Sequence, residues 1–481
     1  MLEGRGLVHL AGDRLAELLE SHPDDRDVQL LHLSHTTKMG DFHSVGMICR
    51  SMLEKFSDDP AIRIQLIDGL IPSGLHAEAL ESIEWLLSKS NPNPNLLSAK
   101  SDVLERLGRN DEAWEAFEKF RANPMAQTRR VVHREANLLL AEKRYEDAKA
   151  CLVGYLGGDE EDRITDQALA LQVELYFMLA KAYDRSGDYD SAWAAAARGH
   201  ELDGTPFRQD EYDETAETIK RVVTKELLPY LGRGTNESCE PLLILGNPRS
   251  GTTMLDQILS MHPEAAAGGE LFVTAAMASK LSRVTDSYQA FPASLLDLRE
   301  ADADLLGSLY ESVVSTIGPG KRYVSNKSLA LQLHVPLVTR CLPKTRIINL
   351  HRHPLDNILS CYTMNLVANH HYYTNRIENL ARTWVTRRKL QDYWQQTIDV
   401  PIMELHYESM VSDQAGETRR LLEFLDLPWN DSCMEFHRST NVARTISRDQ
   451  VSQPMYTTSK GRWRNYEKHL EPVFGILEDY L

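Results

Sequence analysis

The stretch LLILGNPRSGTTMLDQIL, residues Leu242–Leu259, decides the fold of the second part of the chain. It begins with a short, continuous apolar run of the kind that forms a parallel strand buried on both faces. It ends with apolar residues at helical spacing. The stretch therefore predicts a buried strand, a glycine-bounded loop and a helix, as in an α/β domain.

The loop, NPRSGTT, has the residues of an anion-binding site. Backbone N–H groups and the helix dipole favour negative charge at a helix N-terminus, and Gly251 allows a close approach to the backbone. The hydroxyl groups of Ser250, Thr252 and Thr253 add donors. The pattern G-x-x-x-x-G-K-[ST] of nucleotide hydrolases needs a lysine where this chain has Thr252. The loop keeps Arg249 instead, which indicates a ligand with fewer charges at that end; a plain strand–loop–helix connection is the alternative.

The composition excludes several classes of protein. The chain has 481 residues, 42% of them hydrophobic, which is enough for two or three domains. The sequence has no apolar run of about 18 residues and no signal-like start, so we expect no membrane span and a cytoplasmic location. Six cysteines without a C-x-x-C pair argue against a disulfide framework or a zinc site. The net charge of −17 argues against broad binding to nucleic acid or anionic lipid.

Five related helix–turn–helix segments recur in the first part of the chain. The spacings between their anchor residues are 34, 34, 35 and 44, which is the period of the tetratricopeptide repeat. Stacked helix pairs of this kind form a superhelix with a concave surface. We expect this array to bind a peptide or partner protein; bracing of the second domain or self-association are the alternatives. The anchors are Val45, Ala79, Ala113, Ala148 and Ala192.

A helix ends near Leu231 and a polar, glycine-containing stretch follows it, so we place the domain boundary near residue 235. The repeat array is then predicted over residues 1–235 and the α/β domain over residues 236–481.

Two later segments of the second domain carry further candidate ligand-binding residues. RYVSNKS runs from a strand-like start into Lys327. TRIINLHRHPLDNILSCY is a second buried strand whose end carries Arg352, with Ser360 on the helix that follows. An arginine at a strand end with a nearby serine can hold a second phosphate group.

Together these motifs resemble those of the sulfotransferase superfamily, whose members use 3'-phosphoadenosine 5'-phosphosulfate (PAPS). The similarity covers about 241–470 and is greatest to bacterial tetratricopeptide-repeat sulfotransferases and to tyrosylprotein sulfotransferases. It implies that PRSGTT holds the 5'-phosphosulfate and that RHPLDNILSCY holds the 3'-phosphate. It also implies that HYESM places a tyrosine near the nucleotide. The stretch SRDQVSQPMYTTSKGRWRNY then corresponds to a late loop that closes over the donor. The implied donor-binding residues are Arg249, Ser250, Gly251, Thr252, Thr253, Arg352, Ser360, Tyr407, Ser459 and Lys460.

The resemblance also implies the catalytic residues. Glu270 matches the glutamate assigned as the base that takes the proton of the acceptor hydroxyl, a role that suits a carboxylate held near the sulfuryl group. Lys327 and Ser459 match groups that stabilise the bridging oxygen as the S–O bond breaks, and Arg249 helps with the same charge. No metal is expected.

Two positions depart from the pattern of the tyrosylprotein enzymes. Residues 271–273 after Glu270 are Leu-Phe-Val, where those enzymes have a polar, charged stretch that contacts the peptide. Met364 stands where they place a second arginine for the nucleotide. The acceptor is therefore open among a peptide tyrosine, a glycan and a small alcohol or phenol.

We thus expect an enzyme in which an α-helical repeat superhelix precedes a P-loop-like α/β sulfotransferase domain with a parallel sheet. It would move a sulfuryl group from PAPS to an acceptor hydroxyl, and the repeats would recruit the acceptor or a partner. One alternative is an atypical P-loop kinase or nucleotide hydrolase, which needs a Mg²⁺-binding aspartate at a strand end that neither RYVSNKS nor RIINLHRHP supplies. The other is a non-catalytic repeat scaffold. The oligomeric state is open.

Overall fold

The computed structural model describes residues 8–38, 42–89, 93–158, 166–366, 371–438, 455 and 458–481. The chain divides into two compact units, Met1–Asp203 and Gly204–Leu481. The helix Gln209–Val222 belongs to the second unit, since Ala216 and Ile219 are fully buried in that unit's core. The compact units thus divide before this helix, whereas the sequence places the domain boundary after it.

The described part of the first unit is built from helices that pack in consecutive pairs, so the predicted helical repeat architecture is confirmed. The five anchor residues are all completely buried, and the small side chains of the four alanines among them let the paired helices approach closely. The helices are α1 (Val8–Ser21), α2 (Arg26–Lys38), α3 (Phe42–Lys55), α4 (Pro60–Leu70), α5 (His76–Lys89), α6 (Pro94–Arg106), α7 (Asn110–Arg121), α8 (Thr128–Ala141), α9 (Tyr145–Leu156), α10 (Asp166–Arg185) and α11 (Tyr189–Asp203).

The turn inside each of the last four repeats uses one residue with a left-handed backbone. This residue lies five positions before the anchor and is Gly74, Gly108 or Gly187 in three of the repeats, with φ of 76°, 74° and 83°. Lys143 takes the place of glycine in the remaining one, with φ of 61°. A side chain with a Cβ is strained in this conformation, so this repeat has a locally unfavourable turn.

We expect Lys143→Gly to stabilise the protein by about 1 kcal/mol. Relief of the left-handed strain is worth roughly 1–2 kcal/mol, and the greater freedom of glycine in the unfolded chain offsets part of it. Urea unfolding of the full chain, followed by circular dichroism, measures the change. Glu142→Gly is the matched control, because Glu142 has φ of −79° and its replacement should destabilise. An unchanged or lower midpoint for Lys143→Gly would contradict the prediction.

Within its described residues, the second unit contains a five-stranded parallel sheet, so the predicted α/β architecture is confirmed. The strands are β1 (Leu242–Gly246), β2 (Ala265–Ala266), β3 (Tyr323–Asn326), β4 (Arg346–His351) and β5 (Ile402–His406). Their order in the sheet is β2-β3-β1-β4-β5. Strand β1 runs beside β4 over its whole length, from Leu242 opposite Arg346 to Gly246 opposite Leu350.

Strand β1 lies at the centre of the sheet because it is apolar on both faces, and all of its residues are buried. Leu243 and Leu245 pack into one core cluster, whereas Leu242 and Ile244 pack into another. This alternation follows the two-residue period of a strand. Burial of each side chain stabilises the fold by about 1.5–3 kcal/mol, and it leaves the polar loop after Gly246 at the edge of the sheet.

The helices of the second unit connect and cover these strands. Those before β4 are α12 (Gln209–Val222), α13 (Thr252–Ser260), α14 (Val273–Val284), α15 (Glu300–Ile317) and α16 (Leu331–Cys341). Those after it are α17 (Pro354–Tyr362), α18 (Ile377–Thr397), α19 (Tyr407–Ser412), α20 (Gln414–Phe424) and α21 (Glu467–Leu470). Short 3-10 helices lie at Leu228–Tyr230, Ala293–Asp297, Tyr372–Asn375, Asp431–Arg438, Arg462–Tyr466, Glu471–Ile476 and Glu478–Tyr480. Among the residues that the structure covers, no helix has both the length and the apolar character to cross a bilayer.

Candidate active site

Each strand of the sheet is followed at its carboxyl end by a predicted site residue. Because all five strands are parallel, these ends lie along one edge, where open α/β sheets bind their ligands. In the order of the strands, this edge carries Glu270, Lys327, the loop 247–251, Arg352 and Tyr407. The predicted residues, distant in sequence, are therefore brought to one edge of the second unit.

The loop after β1 has a backbone shaped for close approach. Arg249 has φ of 65°, and Gly251, the N-cap of α13, has φ of 100°. A Cβ on Gly251 would lie 2.7 Å from Cδ2 of Tyr407, so no other residue fits without displacing that ring. Gly251 also provides no side chain to cap the N–H groups at the start of α13. These groups, with the helix dipole, favour an anion at the loop.

Helix α17 holds this loop in place. The carbonyl oxygen of Pro248 accepts a hydrogen bond from Nδ2 of Asn357 at 2.7 Å and another from Sγ of Cys361 at 3.3 Å. Nε of Arg249 lies 3.3 Å from Oγ of Ser360. The residues predicted for the 5'-phosphosulfate and those predicted for the 3'-phosphate thus form one packed group.

Arg352 lies at the centre of this group. Its Nη1 donates to the carbonyl oxygen of Arg249 at 2.7 Å and its Nη2 to that of Ser459 at 3.0 Å. The guanidinium also lies over the ring of Tyr407, 4.8 Å from its centroid. The buried Nε finds no hydrogen-bond partner among the described residues. A buried donor without a partner is costly, so this atom is suited to an anionic ligand.

Glu270 and Lys327 form an ion pair, with 2.9 Å between Oε1 and Nζ. Lys327 is 4% exposed, whereas the side chain of Glu270 keeps 43% of its surface in solvent. Burial disfavours the charged carboxylate, but the charge and the hydrogen bond of Lys327, with a smaller effect from the charge of His371, outweigh it and hold the pKa of Glu270 below its usual value. Glu270 is therefore a carboxylate at neutral pH, able to accept a proton.

A second carboxylate beside this pair was not predicted from the sequence. Asp256, on α13, is 3% exposed and accepts a hydrogen bond from the hydroxyl of Ser325 at the end of β3. Burial raises the pKa of Asp256, and the charge of Lys327 opposes this shift. An aspartate on the helix that follows the loop, four residues after Thr252 and between apolar residues, is the signal that could have revealed it.

The structure shows where the residues that depart from the pattern of the tyrosylprotein enzymes lie. Leu271 and Val273 are 5% and 6% exposed and belong to the core of the second unit. The residues after Glu270 thus pack inward in this fold. Met364 is half-buried just beyond α17 and supplies no charge to the group around Arg352.

The late loop is described in part. Ser459 is half-buried and Lys460 is exposed, and the backbone of Ser459 contacts Arg352. The D-Q-V segment within residues 447–454, together with residues 456 and 457, lies outside the described residues. Among the described residues, no three His, Cys, Asp or Glu side chains group as a metal site would require.

Comparisons with known proteins agree with this fold. Residues 241–431 match the model described as the sulfotransferase family, and residues 173–198 match the tetratricopeptide repeat. The resemblance of the chain to sulfotransferases with tetratricopeptide repeats is thereby confirmed.

The curated proteins similar to this chain include protein-tyrosine sulfotransferases. An uncharacterized protein of Aquifex aeolicus is 24% identical over 99% of this chain and 74% of its own length. Protein-tyrosine sulfotransferase 1 of Danio rerio is 23% identical over 46% of this chain and 65% of its own length. Protein-tyrosine sulfotransferase A of Caenorhabditis elegans is 22% identical over 48% of this chain and 62% of its own length. The chain thus spans less than two thirds of the length of either tyrosine sulfotransferase.

The sulfotransferase domain from the Synechococcus PCC 7002 olefin synthase is a similar solved structure. It is 19% identical over 48% of this chain and 89% of its own length, with a TM-score of 0.35.

Proposed function

We propose that the second unit transfers a sulfuryl group from PAPS to a hydroxyl group of an acceptor. The observation that carries the proposal is the order of residues along one edge of the sheet, from Glu270 and Lys327 through the loop 247–251 to Arg352 and Tyr407. In this order the carboxylate of Glu270, the proposed proton acceptor, lies at one side of the loop, and Arg352, the proposed phosphate-binding residue, lies at the other. The family match over residues 241–431 supports the same reaction class.

The residues present fit the donor. The uncapped start of α13 and the lack of a side chain at Gly251, which lets a ligand approach the backbone closely, suit the 5' end of the donor. The unpartnered Nε of Arg352, with Ser360 beside Arg249, suits its 3'-phosphate. When bound, PAPS supplies the sulfuryl group and the leaving phosphate.

Each of the proposed catalytic side chains would have its own role in the reaction. Glu270 would accept the proton of the acceptor hydroxyl, because its carboxylate is ionised at neutral pH and partly open to solvent. The ammonium group of Lys327 would stabilise the negative charge that develops on the bridging oxygen. Its ion pair with Glu270 keeps both groups at the same end of the site. Ser459 and Arg249 are proposed to assist with the same charge, and Lys460 to contact the donor.

We further propose that the repeats recruit the acceptor or a partner protein, as such arrays do, in a cytoplasmic enzyme. A peptide tyrosine, a glycan and a small alcohol or phenol are the candidate acceptor classes. A nucleotide hydrolase is not favoured, because the loop lacks the lysine that such enzymes place on the β and γ phosphates.

The proposal predicts micromolar binding of 3',5'-adenosine bisphosphate, the desulfated product, which Arg352→Ala should weaken by about 1.5–3 kcal/mol, roughly ten- to more than a hundredfold. The substitution removes a charged donor from the anion site. Calorimetry on the full chain measures the affinity, with ATP and Mg²⁺ as the ligand control.

Arg420→Ala is the matched control for this test, because Arg420 is an exposed residue on α20 paired with Glu417. Its replacement should leave the affinity unchanged. Clear binding of ATP without binding of the bisphosphate would reject the proposal.

A further inference from the structure

Asp356, on the first turn of α17, holds the backbone of the late loop. Its side chain is buried, with 2% exposure. Oδ2 accepts a hydrogen bond from the N–H of Gly461 at 2.6 Å, and Oδ1 accepts one from the N–H of Trp463 at 2.9 Å. Both carboxylate oxygens are therefore engaged by a segment that lies about a hundred residues later in the chain.

The local conformation of this segment explains why it needs an external acceptor. Gly461 has φ of 74° and precedes the 3-10 helix Arg462–Tyr466, and no side chain of its own caps that helix. The first N–H groups of a helix lack partners within it. Asp356 provides the missing acceptors, and hydrogen bonds to a carboxylate are stronger than those between neutral groups.

The residues just before Asp356 contact the same segment. Nη2 of Arg352 donates to the carbonyl oxygen of Ser459, and the ring of His353 stacks on that of Trp463, with centroids 5.6 Å apart and planes 11° apart. Arg352 also donates to the carbonyl oxygen of Arg249. The late loop and the loop after β1 are thus held by one strand end and its helix.

A buried carboxylate at Asp356, beside the proposed anion site, is unfavourable and must have a compensating role. A carboxylate four residues after Arg352 disfavours a bound anion at that arginine, and its burial is costly unless its oxygens accept hydrogen bonds. Its two N–H partners satisfy them. A carboxylate kept here at that cost indicates that the position of the segment matters for the site.

We propose that Asp356 is a positioning residue of the donor site: it fixes residues 459–464 beside Arg352, so that donor binding depends on a carboxylate that does not itself contact the donor. The inference rests on the proposed function. It extends that function to a residue for which neither the sequence motifs nor the comparisons suggest a role.

Asp356→Asn tests the proposal by replacing one acceptor oxygen with an amide donor that opposes an N–H group. Trypsin is the probe of the segment, because Lys460, Arg462 and Arg464 lie within it. In the absence of ligand, we expect cleavage at these residues, identified by mass spectrometry, to become roughly tenfold faster or more. The affinity for 3',5'-adenosine bisphosphate, measured by calorimetry on the full chain, should fall by a similar factor.

Asp413→Asn is the matched control, since Asp413 caps α20 through the N–H of Gly416 at 2.9 Å and lies outside the proposed site. It should change neither the cleavage at residues 460–464 nor the affinity. Circular dichroism checks that each variant is folded. If Asp356→Asn does not fold, amide hydrogen exchange on the wild type replaces it: slow exchange at Gly461 and Trp463 supports the proposal, and fast exchange overturns it.

The two readouts separate the possible failures. Unchanged cleavage in Asp356→Asn would show that Asp356 does not hold the segment. Faster cleavage with unchanged affinity for the bisphosphate would show that the segment is held for another reason, and the donor-site role would be rejected. A wild type that does not bind the bisphosphate would reject the proposed function, and with it that role, whatever the cleavage comparison shows.

Discussion

Glu270→Gln is expected to lower kcat for sulfuryl transfer by roughly 100- to 10,000-fold, the usual contribution of a positioned general base. Glutamine has the same shape as glutamate but cannot accept the acceptor's proton. In the structure the Glu270 carboxylate is ionised at neutral pH and partly exposed, as a base that meets an incoming hydroxyl must be. The rate is measured as transfer of labelled sulfate from PAPS to the best acceptor from a panel of tyrosine peptides, glycans and phenols.

The affinity for the donor separates loss of the base from loss of the site. Glu270→Gln leaves Lys327 without its counter-ion, so the affinity for 3',5'-adenosine bisphosphate should be equal or higher. Glu264→Gln is the matched control, because Glu264 is exposed and precedes β2 on the same connection. Similar rates for Glu270→Gln and the wild type would exclude Glu270 as the base.

Lys327→Met is expected to lower kcat by roughly 100- to 1,000-fold, the cost of removing one donor that stabilises developing negative charge. Methionine keeps much of the length of the buried side chain and loses its charge. Lys321→Met is the matched control, since Lys321 is exposed and precedes the same strand, where its Nζ donates to the carbonyl oxygen of Pro263 at 2.6 Å.

The pH dependence of kcat/KM gives a second, independent test of Lys327. In the wild type the pKa of Glu270 is lowered, so its carboxylate is lost only when the pH falls below the usual range for glutamate. Lys327→Met removes the main lowering effect on the pKa of Glu270 and leaves the effect of burial, opposed by the smaller effect of the charge of His371, so the acidic limb of the profile should move to higher pH. An acidic limb at the same pH in both proteins would show that Glu270 and Lys327 are not coupled in the free enzyme.

Local patterns in the sequence predicted much of the fold of this protein. The apolar run at Leu242–Gly246 can be satisfied only by burial on both faces, so it predicted the central parallel strand. The repeat spacing predicted paired helices, and all five anchor residues are completely buried. The glycine and hydroxyl residues after the strand predicted the loop at the start of α13. These features depend on residues close together in the chain, and a period or a motif can report them.

Other features depend on pairings that no local pattern contains. The sequence suggested a domain boundary near residue 235 from a polar stretch, but the side chains of Ala216 and Ile219 pack into the core of the second unit. Asp256 was not predicted from the sequence; its burial raises its pKa, against the opposing effects of the charge of Lys327 and the hydrogen bond from Ser325. The positive φ of Lys143 is likewise a property of the folded turn.

The sequence motifs and their resemblance to those of sulfotransferases predicted which residues could carry the chemistry, and the loop 247–251, Lys327 and Arg352 directly follow apolar strands. Only the tertiary structure decided which of them meet: the strand order β2-β3-β1-β4-β5 brings Glu270 to Lys327 and Arg352 to Arg249. It also brought Asp356 to Gly461 and Trp463, across about a hundred residues. The physical reason is that these contacts depend on strand order and on the packing of helix α17, which are set by the burial of the whole core.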